Sequence, residues 1–99
     1  MIIVTGSVRS TPETHDEMLR LSREHCVRSR AEPGCVAHNV HVDAEDGSRI
    51  VFVEYWRDEA ALRAHFAVPE SRAFAKALGG LAAARPEMTV HRAEQVDLA

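Results

Sequence analysis

Ninety-nine residues, 45% apolar and 27% charged, suffice for one domain with one buried core and are too few for two domains of ordinary size. The net charge of -3 arises from fifteen acidic groups with the arginines and a single lysine scattered among them. There is thus no basic face, and nucleic acid is not an expected partner. Apolar runs are short and the N-terminus opens directly into a β-like stretch rather than a signal peptide, so a cytoplasmic protein without a membrane partner is expected.

Residues 2–8 are rich in β-branched side chains and alternate between two faces, which predicts a first strand. Ser10-Thr11-Pro12-Glu13 reads as a helix start, with a hydroxyl cap, a proline in the first turn and acid beside the positive end. The helix is expected to run to about Ala31, packing a stripe of Met18, Leu21, Ser22, His25 and Ser29. Glu32-Pro33-Gly34 stops it. Strands over 35–42 and 49–57 flank residues 43–48, whose composition predicts a hairpin loop with Gly47 at the tight position. Asp58 caps a short helix that breaks at Val68-Pro69, resumes toward Leu78 and is expected to end at Gly79-Gly80. Residues 88–96 alternate as a fourth strand.

The order is βαββαβ, an α+β ferredoxin-like fold with a four-stranded antiparallel sheet, in a single domain over residues 1–99. On the third strand Val51, Val53 and Tyr55 oppose Phe52, Glu54 and Trp56, so both faces carry apolar bulk. Helices cover only one, and a homodimer packed sheet against sheet is expected. Cys26 and Cys35 lack disulfide-scaffold or Cys-x-x-Cys spacing and read as reduced structural thiols.

Glu32-Pro33-Gly34-Cys35 after the first helix, Glu54-Tyr55-Trp56 closing the third strand, the stretch from Asp58 to Phe66 and the helix start after Pro69 together resemble the antibiotic biosynthesis monooxygenase family. The resemblance extends over nearly the whole chain. It implies a dimeric α+β barrel with a pocket between sheet and helices in each subunit, and oxygenation of phenolic or quinol-like rings without metal, flavin or haem. The family's recurring glutamate, tryptophan and histidine map onto Glu54, Trp56 and His65. Phe52, His38 and Phe66 are the expected substrate contacts. Two positions depart from the family pattern: Glu70 stands where many relatives have a second histidine, and His38 where a tyrosine is common. Ala75 occupies the position of the iron-binding histidine of related haem-degrading enzymes, so haem degradation is not expected.

Strand alternation places Glu54 and Trp56 on one face, and the helix after Asp58 can fold His65 over it. Cofactor-free oxygenation needs a base to ionise the substrate and a shielded place for the anion. His65 suits the base, its unperturbed pKa lying near neutrality. Trp56 offers a stacking wall and one N–H for a developing oxyanion, and Glu54 a tautomer-fixing carboxylate or a secondary acid. Each also has a structural reading: Trp56 as core, His65 as a packing residue and Glu54 as the partner of an arginine.

Six histidines raise the question of metal. His38 and His41 lie on opposite faces of a strand, and His15 and His25 on nearly opposite sides of a helix, so local spacing reveals no ligand pair and no metal is expected. No phosphate loop, nucleophile elbow or zinc motif is present. The expected function is a cofactor-independent monooxygenase that takes molecular oxygen and a quinol or anthrone-like substrate. The alternatives are an isomerase of a small oxidised sugar-like signal and a ligand-binding dimer without chemistry.

Overall fold

A computed structural model describes residues 1–99. The chain runs β1 (Ile2–Arg9), α1 (His15–Arg30), β2 (Cys35–Asp43), β3 (Asp46–Trp56), α2 (Glu59–Ala67), α3 (Pro69–Leu81) and β4 (Glu87–Arg92). The strands form one antiparallel sheet in the order β2-β3-β1-β4. This is the expected ferredoxin-like α+β order, with the second crossover made of two helices because Pro69 interrupts it. No helix is long and apolar enough to cross a membrane.

Local chemistry moves several boundaries away from their sequence expectations. Helix α1 begins not at Ser10 but at His15, because Thr11 and Thr14 close a turn of their own. Thr11 N–H donates to Thr14 Oγ1 (3.0 Å) and Thr14 N–H to Thr11 Oγ1 (3.2 Å). Its buried stripe is Met18, Ser22, His25, Cys26 and Ser29, with Cys26 in place of Leu21. Ser22 and Ser29 turn their hydroxyls back onto the carbonyls of Met18 and His25, both at 2.6 Å, and so satisfy themselves within the helix.

The stop after α1 is as expected. Gly34 takes φ +82°, a conformation that costs other residues a Cβ clash, and a Cβ there would lie 2.5 Å from that of Ala61 on α2. Gly34 O also accepts the Arg57 N–H at 2.8 Å, which ties this turn to the end of β3.

The β2–β3 hairpin is tighter than expected. Asp43 pairs with Asp46, leaving Ala44 and Glu45 as the turn, and the Asp43 carboxylate accepts the Glu45 N–H at 2.8 Å. Gly47 lies in β3 without positive φ, so it is not the tight position. Helix α3 also runs through Gly79-Gly80 to Leu81, since neither glycine reverses the chain. Beyond it Ala83 N–H is captured by Arg9 O (2.9 Å) at the end of β1. Strand β4 stops at Arg92 because its partner β1 ends at Ile2, opposite Arg92.

The Asp58 cap forms as read, its carboxylate accepting the Ala61 N–H at 2.9 Å. The helix-facing side of the sheet buries two apolar clusters. One gathers Val8, Met18, Cys26, Ile50, Phe52 and Leu78, and the other Ile2, Val4, Trp56, Ala61 and Leu62. Burying the larger of these side chains contributes about 1.5–3 kcal/mol each. On the opposite face Val51, Val53 and Tyr55 have no helix over them, and Tyr55 is exposed.

Candidate active site

Between the two apolar clusters runs a buried polar band. His25 from α1 stacks on Phe74 at 4.0 Å between ring centroids, and His65 from α2 lies 4.7 Å from the Trp56 ring. His38 from β2 completes the band, 5.0 Å from His25 and 5.4 Å from His65. A cavity of about 270 Å³ opens beside it, between the sheet and the helices. Its apolar lining includes Phe52, Phe66, Phe74 and Leu78, and its polar lining His25, His38, Glu54, His65, Arg72 and Glu87. Gly6 and Ala75 line it as well. Gly6 leaves room where a Cβ would come within 3.3 Å of Glu87 O.

Of the residues singled out from the sequence, His65, Glu54, Phe52, His38 and Phe66 all reach this cavity. Trp56 does not line it. The indole is fully buried in the second cluster and its only N–H donates to Glu54 Oε1 at 2.9 Å. Neither the stacking wall nor a free oxyanion donor comes from Trp56; the phenylalanines supply the wall, and Trp56 positions Glu54. Glu54 has no arginine partner: it bonds Trp56 and faces His38 Nε2 at 3.3 Å.

Tautomer fixing falls to a residue the sequence assigned only to the helix stop. Glu32 Oε1 accepts from His65 Nδ1 at 2.8 Å. With the proton held on Nδ1, the lone pair of His65 lies on Nε2, the nitrogen a base would use. His25 is also new to the site. Its Nδ1 accepts from Arg28 Nη2 at 3.0 Å, and Arg28 reaches on to Glu70 O at 3.3 Å. His38 Nδ1 contacts Cys26 Sγ at 3.3 Å, and its Nε2, wholly buried, has no hydrogen-bond partner.

Burial governs the charges. It pushes His25 down to about 3, helped by His38, His65 and Arg28, and His38 down to about 4, helped by His65 and Arg30. Both imidazoles are therefore neutral at neutral pH. Burial raises the Glu54 carboxyl, against the opposing Trp56 hydrogen bond, and raises the Cys26 thiol to about 11, so that Cys26 is an inert thiol. The ensemble is a mainly apolar cavity with an oriented histidine, a carboxyl whose ionisation burial disfavours, and two neutral imidazoles at one end. Such a site can take a proton from a bound ring and return one without carrying net charge into the apolar interior.

Comparisons with known proteins agree with this architecture. Residues 1–77 match the antibiotic biosynthesis monooxygenase family. The uncharacterized protein sll1783 of Synechocystis sp. is 31% identical over 91 residues, covering 92% of this chain. The chain spans 62% of that relative's length. A crystal structure of an antibiotic biosynthesis monooxygenase, 29% identical, superposes with a TM-score of 0.87 over 96% of this chain and all of that one. A mutant of SnoaB, a cofactor-independent oxygenase from Streptomyces nogalater, shares the fold with a TM-score of 0.84 at 19% identity, covering 99% of this chain and 97% of its own.

Proposed function

The chain belongs to the antibiotic biosynthesis monooxygenase family, and we propose that it oxidises a hydroxylated aromatic, quinol- or anthrone-like, with molecular oxygen and no cofactor. The observation that carries this reading is the His65–Glu32 pair at the edge of a cavity walled by Phe52, Phe66 and Phe74. His65 Nε2 takes a proton from the substrate hydroxyl or activated C–H, and the electron-rich anion reduces oxygen. The two recombine to a carbon-bound peroxide. His65 returns its proton to the peroxide and then takes the remaining hydrogen of the same carbon as a proton while the O–O bond breaks. The carbonyl keeps one oxygen atom, and the hydroxide released takes up that proton and leaves as water. The apolar walls shelter the anion from solvent.

The cavity volume lies just under the roughly 300–1,000 Å³ of ligand pockets, which suits a small fused-ring substrate. Its mainly apolar wall favours the oxygenase over an isomerase of a small oxidised sugar. SnoaB, a cofactor-independent oxygenase of the same fold, supports the same choice. The test is oxygen uptake by chelator-dialysed protein across hydroquinones, naphthoquinols and anthrones. At least one is expected to be consumed in equal measure with oxygen. Uptake no higher than in buffer with every compound, or turnover lost on dialysis and restored by one metal, overturns the reading.

We also propose that the working unit is a homodimer in which Val51, Val53 and Tyr55 are covered by a second copy. Light scattering is expected to give twice the 11.0 kDa chain mass. A stable monomer at micromolar concentration would sink this assembly.

A further inference from the structure

The proposed oxidation uses one imidazole of the polar band and leaves His25 and His38 without a task. Yet His25, His38 and His65 each bring a ring nitrogen to within 4.8 Å of the others, and all three are buried. The geometry points to a binding site for a divalent first-row transition-metal ion, held by His25, His38 and His65 with the Glu54 carboxylate beside it.

An independent observation aims into the same space. His38 Nε2 is fully buried, has no hydrogen-bond partner, and stands 3.3 Å from Glu54 Oε1. Two ligands at ordinary zinc distances and a tetrahedral angle stand about 3.3–3.5 Å apart, so this unbonded pair already has ligand spacing. Metal-binding histidines usually donate their other N–H to an outer carboxylate, and Glu32 receives the Nδ1 proton of His65 in this way. An imidazole ligates in its neutral form, whereas the Glu54 carboxyl has to be ionised to ligate, which adds to the cost of closing the site. Imidazole with one carboxylate suits zinc, cobalt, nickel or copper rather than magnesium or calcium.

Closing the site has a definite cost. His25 Nδ1 accepts from Arg28, so ligation through Nε2 requires its proton to move to Nδ1 and Arg28 to fall back on Glu70 O. The rings must also rotate inward, because 4.8 Å exceeds the spacing of ligands on one small ion.

One consequence rests on the proposed reaction: an ion on His65 Nε2 takes the lone pair of the base, so bound metal inhibits the oxidation. The probe is Co²⁺ added to metal-free protein. One equivalent is expected to bind with the intense visible absorption of four- or five-coordinate cobalt, which His38→Ala abolishes and Glu32→Gln weakens roughly ten- to a hundredfold. His25→Phe, which keeps a ring against Phe74, is expected to lose the band as well and covers the case in which His38→Ala does not fold. No binding, only the faint spectrum of octahedral surface cobalt, or a band that survives in a folded His25→Phe or His38→Ala protein overturns the site. A thiolate charge-transfer band lost in Cys26→Ser overturns it too, by assigning the ion to Cys26. Binding without inhibition of oxygen uptake leaves the site standing and removes His65 as the base, and inhibition at one equivalent supports both.

Discussion

Replacing His65 with alanine is expected to lower turnover on the best aromatic substrate by roughly a hundredfold or more, the usual effect of losing a general base. The loss is expected in kcat more than in KM, because Phe52, Phe66 and Phe74 still form the walls that bind the ring. It should also shrink with substrates that ionise more easily. Glu32→Gln provides the companion measurement. A glutamine carbonyl can still accept the Nδ1 proton, so orientation survives while the charge that favours a protonated imidazole is lost. Its effect on kcat is therefore expected in the same direction and smaller. Rate and chemical stability are to be measured on the same samples, since His65 is buried and a destabilised protein imitates a slow one. Unchanged activity per folded molecule in His65→Ala removes the base.

The largest expected loss of stability belongs to Gly34→Ala. The left-handed backbone costs an alanine about 1–2 kcal/mol. The new methyl group would also lie 2.5 Å from the Ala61 Cβ, and forcing such a contact adds about 1–3 kcal/mol. For a domain of this size the sum corresponds to a fall in Tm of more than about 10 °C. Gly79→Ala is the internal comparison. It lies within α3 with open space around it, so the same chemical change there is expected to raise stability by about 0.5–1 kcal/mol. Equal melting temperatures for the two variants would contradict the conformation and packing assigned to Gly34.

Element types were legible in the sequence because two periods are written plainly into it. The alternation of Phe52, Glu54 and Trp56 against Val51, Val53 and Tyr55 marks a strand, and the spacing of Met18, Ser22, His25 and Ser29 marks a helix face. The Asp58 cap and the Glu32-Pro33-Gly34 stop are equally local. Boundaries were misplaced where tertiary structure decides. Gly79 and Gly80 end a helix only if the chain reverses there, and the capture of Ala83 by β1 makes reversal unnecessary. Gly47 is not needed at the tight position because Asp43 builds the turn with its own carboxylate.

The site was legible by halves for the same reason. His65 and Glu54 follow from strand and helix directions, and the same alternation puts Trp56 next to Glu54, although the indole stays outside the cavity. What no spacing reveals is that its N–H is already taken by Glu54. Glu32 and His25 enter only when α1, the turn after it and α2 meet. One faint signal was present. A histidine in a buried stripe otherwise including Ser22 and Ser29 needs a polar partner, and Arg28, three residues on in the same helix, supplies it.

The bond from the Arg57 amide to Gly34 O lies two residues from Glu32 and anchors the same turn. An opening that lifts this turn as a unit breaks this bond and also carries the Glu32 carboxylate away from His65. The Arg57 amide hydrogen is therefore expected to be protected from exchange in the closed protein, and Gly34→Ala, which strains the turn, is expected to speed its exchange. Amide exchange at Arg57 thus reads, in the resting protein and before any substrate is known, the stability of the turn that carries Glu32.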